Sequence, residues 1–414
     1  MHPLALAFVV ATVLWTIASL HLSLRQTAYV RRHRDAVPAD FVGTITPTEH
    51  HKAADYTLAR ERVARFELLA DAIITLAWAL GGISFLYGIV AAFVPPSLWR
   101  DLVFLIATGV VGTLVSLPFA IYRTFSLEQA FGFNRTDPKT FVLDRLKGAA
   151  ISLIVAVPLL AALLLTMRSA SGLWWLWTWF GLLALMIAAP AVYIRLVAPR
   201  FNTFAPLTDP VLRRRIERVL DGAGYRASGL FTMDASKRSS HGNAFFIGFG
   251  RTKRIVLFDT LIERCKPEEI EAVVAHELGH FLHRHTLFGL ARAAVMSFAV
   301  LAAFGWLAKQ PWLLSSFGIE VRSDALALFV CMLLASVVGP VAAVAGNWIS
   351  RRNEYQADDY ARRAVGIEPM VGALTGLARD NASTLTPDPL YALVHHSHPT
   401  VPQRVKHLRD MAAA

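Results

Sequence analysis

Long apolar runs dominate the chain, and shorter polar blocks separate them. A helix of about 20 apolar residues crosses a bilayer. Seven runs have that length, at 3–24, 67–94, 102–122, 149–167, 173–196, 286–308 and 325–348. AAISLIVAVPLLAALLLTM (149–167) and ALALFVCMLLASVVGPVAAVAGNW (325–348) are the plainest, whereas the second run carries Asp71 near its start. The first run has no basic leader and is longer than the apolar core of a signal peptide, so it reads as a retained helix. This pattern divides the chain into four parts: a membrane region of five spans and two polar loops (1–196), a polar block (197–285), two more spans (286–348) and a polar tail (349–414).

The block at 197–285 changes period. DPVLRRRIERVLDGAG predicts a helix with Asp209 as N-cap, proline in the first turn and Gly222 near the stop. GLFTMD, NAFFIGF and RIVLFDT are short β-like runs. KPEEIEAVVAHELGHFLHRH then predicts a helix, opened by Pro267, Glu268 and Glu269, which suit a helix N-terminus.

Composition agrees with a membrane protein: 55% of residues are hydrophobic and 17% charged. The net charge of +11 raises the question of nucleic-acid binding, but its distribution gives another answer. Segments 25–66, 123–148, 197–285 and 349–414 hold 35 Lys/Arg, against 4 in the alternate loops 95–101, 168–172 and 309–324. Basic loops stay cytoplasmic. The expected topology is N-terminus out, with the polar blocks and C-terminus cytoplasmic, and the charge meets lipid head groups rather than nucleic acid. Cys265 and Cys331 have no oxidising compartment on this topology, so no disulfide is implied.

The chemistry concentrates in HELGH. On a helix, His276 and His280 project from one face, about 40° apart. Both imidazoles can reach one zinc ion, and Glu277, one step round, can contact a metal-bound water without ligating the metal. A catalytic zinc needs a third protein ligand and an open position. A histidine six places after His280 is absent, since that position is Thr286. A carboxylate from a later helix is the other source. ISRRNEYQADDYARRAVG follows the seventh span, and Glu354 and Asp358 share a face there. Two intervening spans return this segment to the HELGH side of the membrane.

HELGH followed by SRRNEYQAD after two spans resembles the M48 family of zinc metallopeptidases, in particular its Ste24 (CAAX prenyl protease) branch. LEQAFGFNRTDPKTFVLDRLKG (127–148), FNTFAPLTD (201–209), SKRSSHGNAFFIGFGRTKRIVLFDTLIE (236–263) and SHPTVPQR (397–404) extend the resemblance over nearly the whole chain. It implies a mainly α polytopic membrane protein, with seven transmembrane helices enclosing a water-filled chamber and a small zincin-like α/β domain on the cytoplasmic side. It implies His276, His280 and Glu354 as zinc ligands, with one Zn2+ per chain, and Glu277 as catalytic base. Asp358 matches the aspartate that supports a ligand histidine or is assigned as proton donor, and His398 matches the histidine that stabilises the oxyanion. Asn243 and Ala244 match the edge strand that holds substrate by backbone pairing, and Arg404, grouped with the substrate-binding residues, matches an arginine of the His-Pro motif. Thr400 stands where a second proline is more usual. His283, His285, His395 and His396 are expected to be structural or solvated.

The expected substrates are extended peptides or membrane-associated proteins, for CAAX-type processing or membrane-protein quality control. Arginine outnumbers lysine 33 to 8, and RDMAAA carries no ER-retrieval signal. Both features point to a bacterial inner membrane. Two rivals remain on the residues alone. One is an intramembrane protease, which would bury HELGH inside a span and away from the charged RCKPEEIEA. The other is a seven-helix receptor or transporter with a structural zinc site, which has no use for Glu277.

Overall fold

The computed structural model describes residues 2–169, 172–225, 228–239, 241, 243–247 and 254–413. Seven of its helices are long and apolar enough to cross a membrane: Pro3–Arg32, Pro47–Phe93, Leu98–Glu128, Pro138–Arg168, Trp174–Arg200, His285–Leu307 and Asp324–Val365. They match the seven predicted runs in order. Several continue well past them. The second starts at a capping box, Thr46 with Glu49, and runs for 47 residues. It is broken once, at Leu80 and Gly81, where Gly81 takes φ 128°, a value only glycine holds without strain. The seventh runs for 42 residues, so SRRNEYQAD is the polar continuation of a membrane helix.

The polar block folds as the run pattern predicts, with one addition. Strands β1 (Phe204–Pro206), β2 (Gly229–Met233), β3 (Ala244–Ile247) and β4 (Arg254–Phe258) form a sheet in the order β1-β2-β4-β3. β2 and β4 are parallel and the other pairs antiparallel. β1 was not expected, and the end of the NAFFIGF run (248–249) lies outside the described residues. Asp209 caps the helix Pro210–Gly222 by accepting from the Val211 and Leu212 amides at 2.8 and 3.1 Å.

Two apolar cores hold the molecule. One gathers Ile216, Ile255, Leu257, Leu278, Leu374 and Val405 from the sheet, the HELGH helix (Pro267–Leu282) and the tail. The other lies at the far ends of the spans, where Phe8, Ile83, Phe104, Leu313, Leu326 and Val330 pack together. Between them the seventh helix has no buried residue from Leu333 to Glu354, on any face, and Val338 and Val341 are more than 60% exposed. A span packed in a solid bundle would bury one stripe throughout. Its bare middle fits spans that enclose a hollow.

The HELGH helix meets the seventh helix backbone to backbone. A Cβ on Gly279 would stand 3.0 Å from the Ala357 Cα and 3.1 Å from its carbonyl oxygen. Gly279→Ala should therefore cost about 1–3 kcal/mol by overpacking. Gly376, in the helix Ile367–Asp380, has open space where its Cβ would go. Gly376→Ala should be neutral or stabilise by up to about 1 kcal/mol. Thermal unfolding of the two purified variants checks the contrast.

Candidate active site

The HELGH helix opens with Pro267 at its first turn, and Glu269 accepts from the Lys266 amide at 2.9 Å. Its Ile270, Val274, Ala275 and Leu278 are buried in the catalytic-side core. That burial turns His276, Glu277 and His280 toward the seventh helix. The close Gly279–Ala357 contact sets the distance between the two helices, and Glu354 and Asp358 come from the facing turns of the seventh.

His276 Nε2, His280 Nε2 and a Glu354 carboxylate oxygen lie within 4.8 Å of one another. The two Nε2 atoms are 3.2 Å apart. His276 Nε2 is 3.4 Å from Glu354 Oε2, and His280 Nε2 is 3.2 Å from Glu354 Oε1. A tetrahedral metal with bonds of about 2.0–2.1 Å has ligand-to-ligand edges of about 3.3–3.4 Å. The donor set, two imidazoles and a carboxylate, is that of a catalytic zinc site.

Protonation supports the same fit. His276 Nδ1 lies 2.9 Å from Asp358 Oδ1 and donates to it, so the Nε2 lone pair is free. Burial alone would lower the His276 imidazole, but the Asp358 and Glu354 carboxylates outweigh it and make the ring more basic. Arg404 donates to both Asp358 oxygens, Nε at 2.8 Å and Nη2 at 2.5 Å, and its Nη1 stands 3.4 Å from Glu354. Asp358 is fully buried and occupied by these two partners. Arg404 thus lies behind Asp358 and Glu354, where it braces both.

Glu277 lies beside the cluster and is only half-buried. Burial raises its carboxyl above the ordinary glutamate value, and His276 and His280 pull it part of the way back. His398 reaches the cluster from the C-terminal segment, with Nε2 3.3 Å from Glu354 Oε1, and its side chain is 63% exposed. It sits at the mouth of the site. His395 and His396 do not join the cluster. Their rings pack on Tyr391 at 4.6 and 5.8 Å, and Tyr391 donates to Glu61 of the second span at 2.7 Å. Arg25 of the first span pairs with Asp388 at 3.0 Å. These contacts fasten the segment that carries His398 to the membrane helices.

Among the described strands, β3 is an edge, paired on one side with β4. The Phe258 amide donates to the Asn243 carbonyl at 3.0 Å. In an antiparallel pair, hydrogen-bonded and non-hydrogen-bonded positions alternate. The Ala244–Leu257 position is therefore non-hydrogen-bonded, and the Ala244 N–H and C=O point to the open side. Asn243 spends its carbonyl inside the sheet and turns its side-chain oxygen on the Ala244 amide at 2.8 Å. Cys265 is buried, its thiol pushed up to about 11 mainly by desolvation, and is unsuited to act as a nucleophile.

The sequence reading did not find three features. The first is the bracing of Asp358 and Glu354 by Arg404. The second is the Tyr391–Glu61 anchor. The third is a pair behind His280, where His285 Nδ1 lies 2.9 Å from His280 Nδ1 and His285 Nε2 lies 2.8 Å from Gln356 Oε1. His283 is exposed and stacks on His285.

The chain as a whole is similar to known proteins. Residues 26–203 match the family described as CAAX prenyl protease N-terminal, five membrane helices, and residues 206–412 match peptidase family M48. The chain is 30% identical to the CAAX prenyl protease 1 homolog of Arabidopsis thaliana over 399 residues, covering 94% of each. It is 32% identical to CAAX prenyl protease 1 of Saccharomyces cerevisiae over 324 residues, covering 74% of this chain and 71% of that one. The crystal structure of S. mikatae Ste24p superposes with a TM-score of 0.90 at 27% identity, covering 99% of both chains. The receptor or transporter reading finds no support in these relatives. These matches span the chain from residue 26 to residue 412, and it belongs to peptidase family M48, as an integral-membrane metalloendopeptidase of the Ste24 type.

Proposed function

We propose that His276, His280 and Glu354 hold one zinc ion per chain and that Glu277 is the general base of peptide-bond hydrolysis. The observation that carries this reading is the convergence of three ligand atoms, with the His276 Nδ1 proton turned away onto Asp358. When bound, zinc polarises the scissile carbonyl and lowers the pKa of the attacking water. Glu277 takes the proton of that water and returns it to the leaving amine. His398, at the mouth, donates to the developing oxyanion. Asp358, saturated by His276 and Arg404, orients His276. An extended substrate adds to the open edge of β3 through the Ala244 carbonyl and, once it displaces the Asn243 side-chain oxygen, through the Ala244 N–H.

The substrates are extended peptides or membrane-associated proteins that enter from the hollow. They are CAAX-type proteins, as the names of the relatives suggest, or damaged membrane proteins. The charge asymmetry supports a cytoplasmic active site and an external N-terminus, and the excess of arginine over lysine supports a bacterial inner membrane.

Three measurements check this function. Purified protein should hold about one zinc per chain. His280→Ala should lose it, and His283→Ala, whose ring is exposed, should retain it. Glu277→Gln should keep zinc and bind substrate but lower kcat by roughly two to four orders of magnitude. His398→Ala should lower kcat by about two to three orders with little change in KM. The pH profiles should separate these two variants. A protonated Glu277 cannot accept, so wild-type activity falls as pH drops through the pKa of its carboxyl. The glutamine variant should lose that acidic limb and the His398 variant should keep it. A quenched peptide assayed from about pH 5 to 9 decides this. Finally, a reporter fused after residue 310 should read external and one after residue 414 cytoplasmic. Both on one side would contradict the topology.

A further inference from the structure

The HELGH helix ends at Leu282, and the next helix starts at His285. Between them Arg284 takes φ 56°, in the left-handed region that non-glycine residues rarely adopt. On a continuous helix, a residue five places after His280 would lie about 140° round the axis from it. The left-handed turn instead brings the His285 ring edge-on to His280, with centroids 5.0 Å apart. His285 is buried there, and its two ring nitrogens face two different partners.

The two Nδ1 atoms are 2.9 Å apart, so a single proton lies between them. If His285 donates, His280 carries its own proton on Nε2, the atom that faces His276 and Glu354, and it cannot ligate a metal. If His280 donates, its Nε2 lone pair is free and the His285 proton must sit on Nε2. There it donates to Gln356 Oε1 at 2.8 Å. An acceptor at position 356 therefore selects the ligating tautomer of His280, two hydrogen bonds away. His276 has its own orienting carboxylate in Asp358. His280 has this relay in its place.

We propose that His285, held by Gln356, is a positioning residue that fixes His280 in the tautomer able to bind metal. The inference rests on the zinc-site reading above. The relay crosses from the loop after the HELGH helix to the seventh helix, so metal affinity is tied to the packing of the two.

The test is zinc affinity, read by chelator competition on the full-length protein in detergent. Salt is held at 1 M, where charge effects are screened within about 3 Å. Loss of an outer partner of a ligand histidine typically costs about 10- to 100-fold in metal affinity. His285→Phe keeps the ring but offers no acceptor, and should lose affinity by that amount. Gln356 is exposed, so its variants leave the core untouched. Gln356→Glu can only accept when ionised and should match or exceed wild type. Gln356→Arg can only donate and should fall by about tenfold or more. His285→Gln, whose side-chain oxygen can accept from His280, should recover part of the loss seen with phenylalanine. Wild-type affinity in both His285→Phe and Gln356→Arg would overturn the proposal. If His285→Phe does not fold, equal affinity of the two Gln356 variants overturns it alone. A wild-type protein that takes up no zinc overturns the site reading itself.

Discussion

The site depends on one close contact. Gly279 lies against the backbone of Ala357, so close that a Cβ there would stand 3.0–3.1 Å from it and force the two helices slightly apart. Two helices that approach this closely bring the short reach of histidine and glutamate into range of a common point. Had a methyl group stood at 279, His276 and His280 would face Glu354 across a wider gap. The glycine of HELGH thus serves the metal site although it touches no ligand. Ala357 and Ala361, both fully buried, continue the small-residue seam on the partner helix.

From that contact outward, each ligand has something behind it. Asp358 holds His276, Arg404 holds Asp358 and faces Glu354, and His285 stands behind His280. Buried charges are costly alone and tolerable when paired and hydrogen-bonded. Asp358 and Arg404 form such a pair, while Glu354 Oε2 is buried with an ion pair to Arg404 but no hydrogen-bond partner, as suits an atom aimed at a metal. His398 differs from them. It is exposed, and its support comes from a distance, through Tyr391 on Glu61 and Arg25 on Asp388. The rigid half of the site lies between two helices and the adaptable half on a segment tied to the membrane spans. That division suits a site that must admit a chain, pair it along β3 and close on one bond.

Much of this was legible in the residues. The seven spans follow from run length alone, and GLFTMD, NAFFIGF and RIVLFDT gave three of the four strands. HELGH offers its two histidines because their spacing is local to a helix face, whereas the choice of Glu354 over Asp358 rests on the family resemblance. The continuity of the seventh helix was harder to see. ISRRNEYQADDYARRAV changes from apolar to polar as the helix continues past the membrane core, and hydropathy reports the solvent, not the backbone. β1 was missed because three residues, FAP, are too few to show alternation. The contacts of Arg404 and His285 are not legible in the sequence for another reason. Their partners, Asp358 and Gln356, are distant in sequence, and no periodicity encodes a contact between separate helices. The left-handed Arg284 that re-aims His285 carries no glycine to announce it.

The central claim is that two imidazoles and one carboxylate of this chain bind zinc. X-ray absorption at the zinc edge of the purified Glu277→Gln protein tests it most directly, since the ligands are intact and turnover is blocked. The account predicts nitrogen and oxygen neighbours only, at about 2.0–2.2 Å, with outer-shell scattering from two imidazole rings. A sulfur neighbour at about 2.3 Å, or scattering from fewer than two imidazoles, would contradict it.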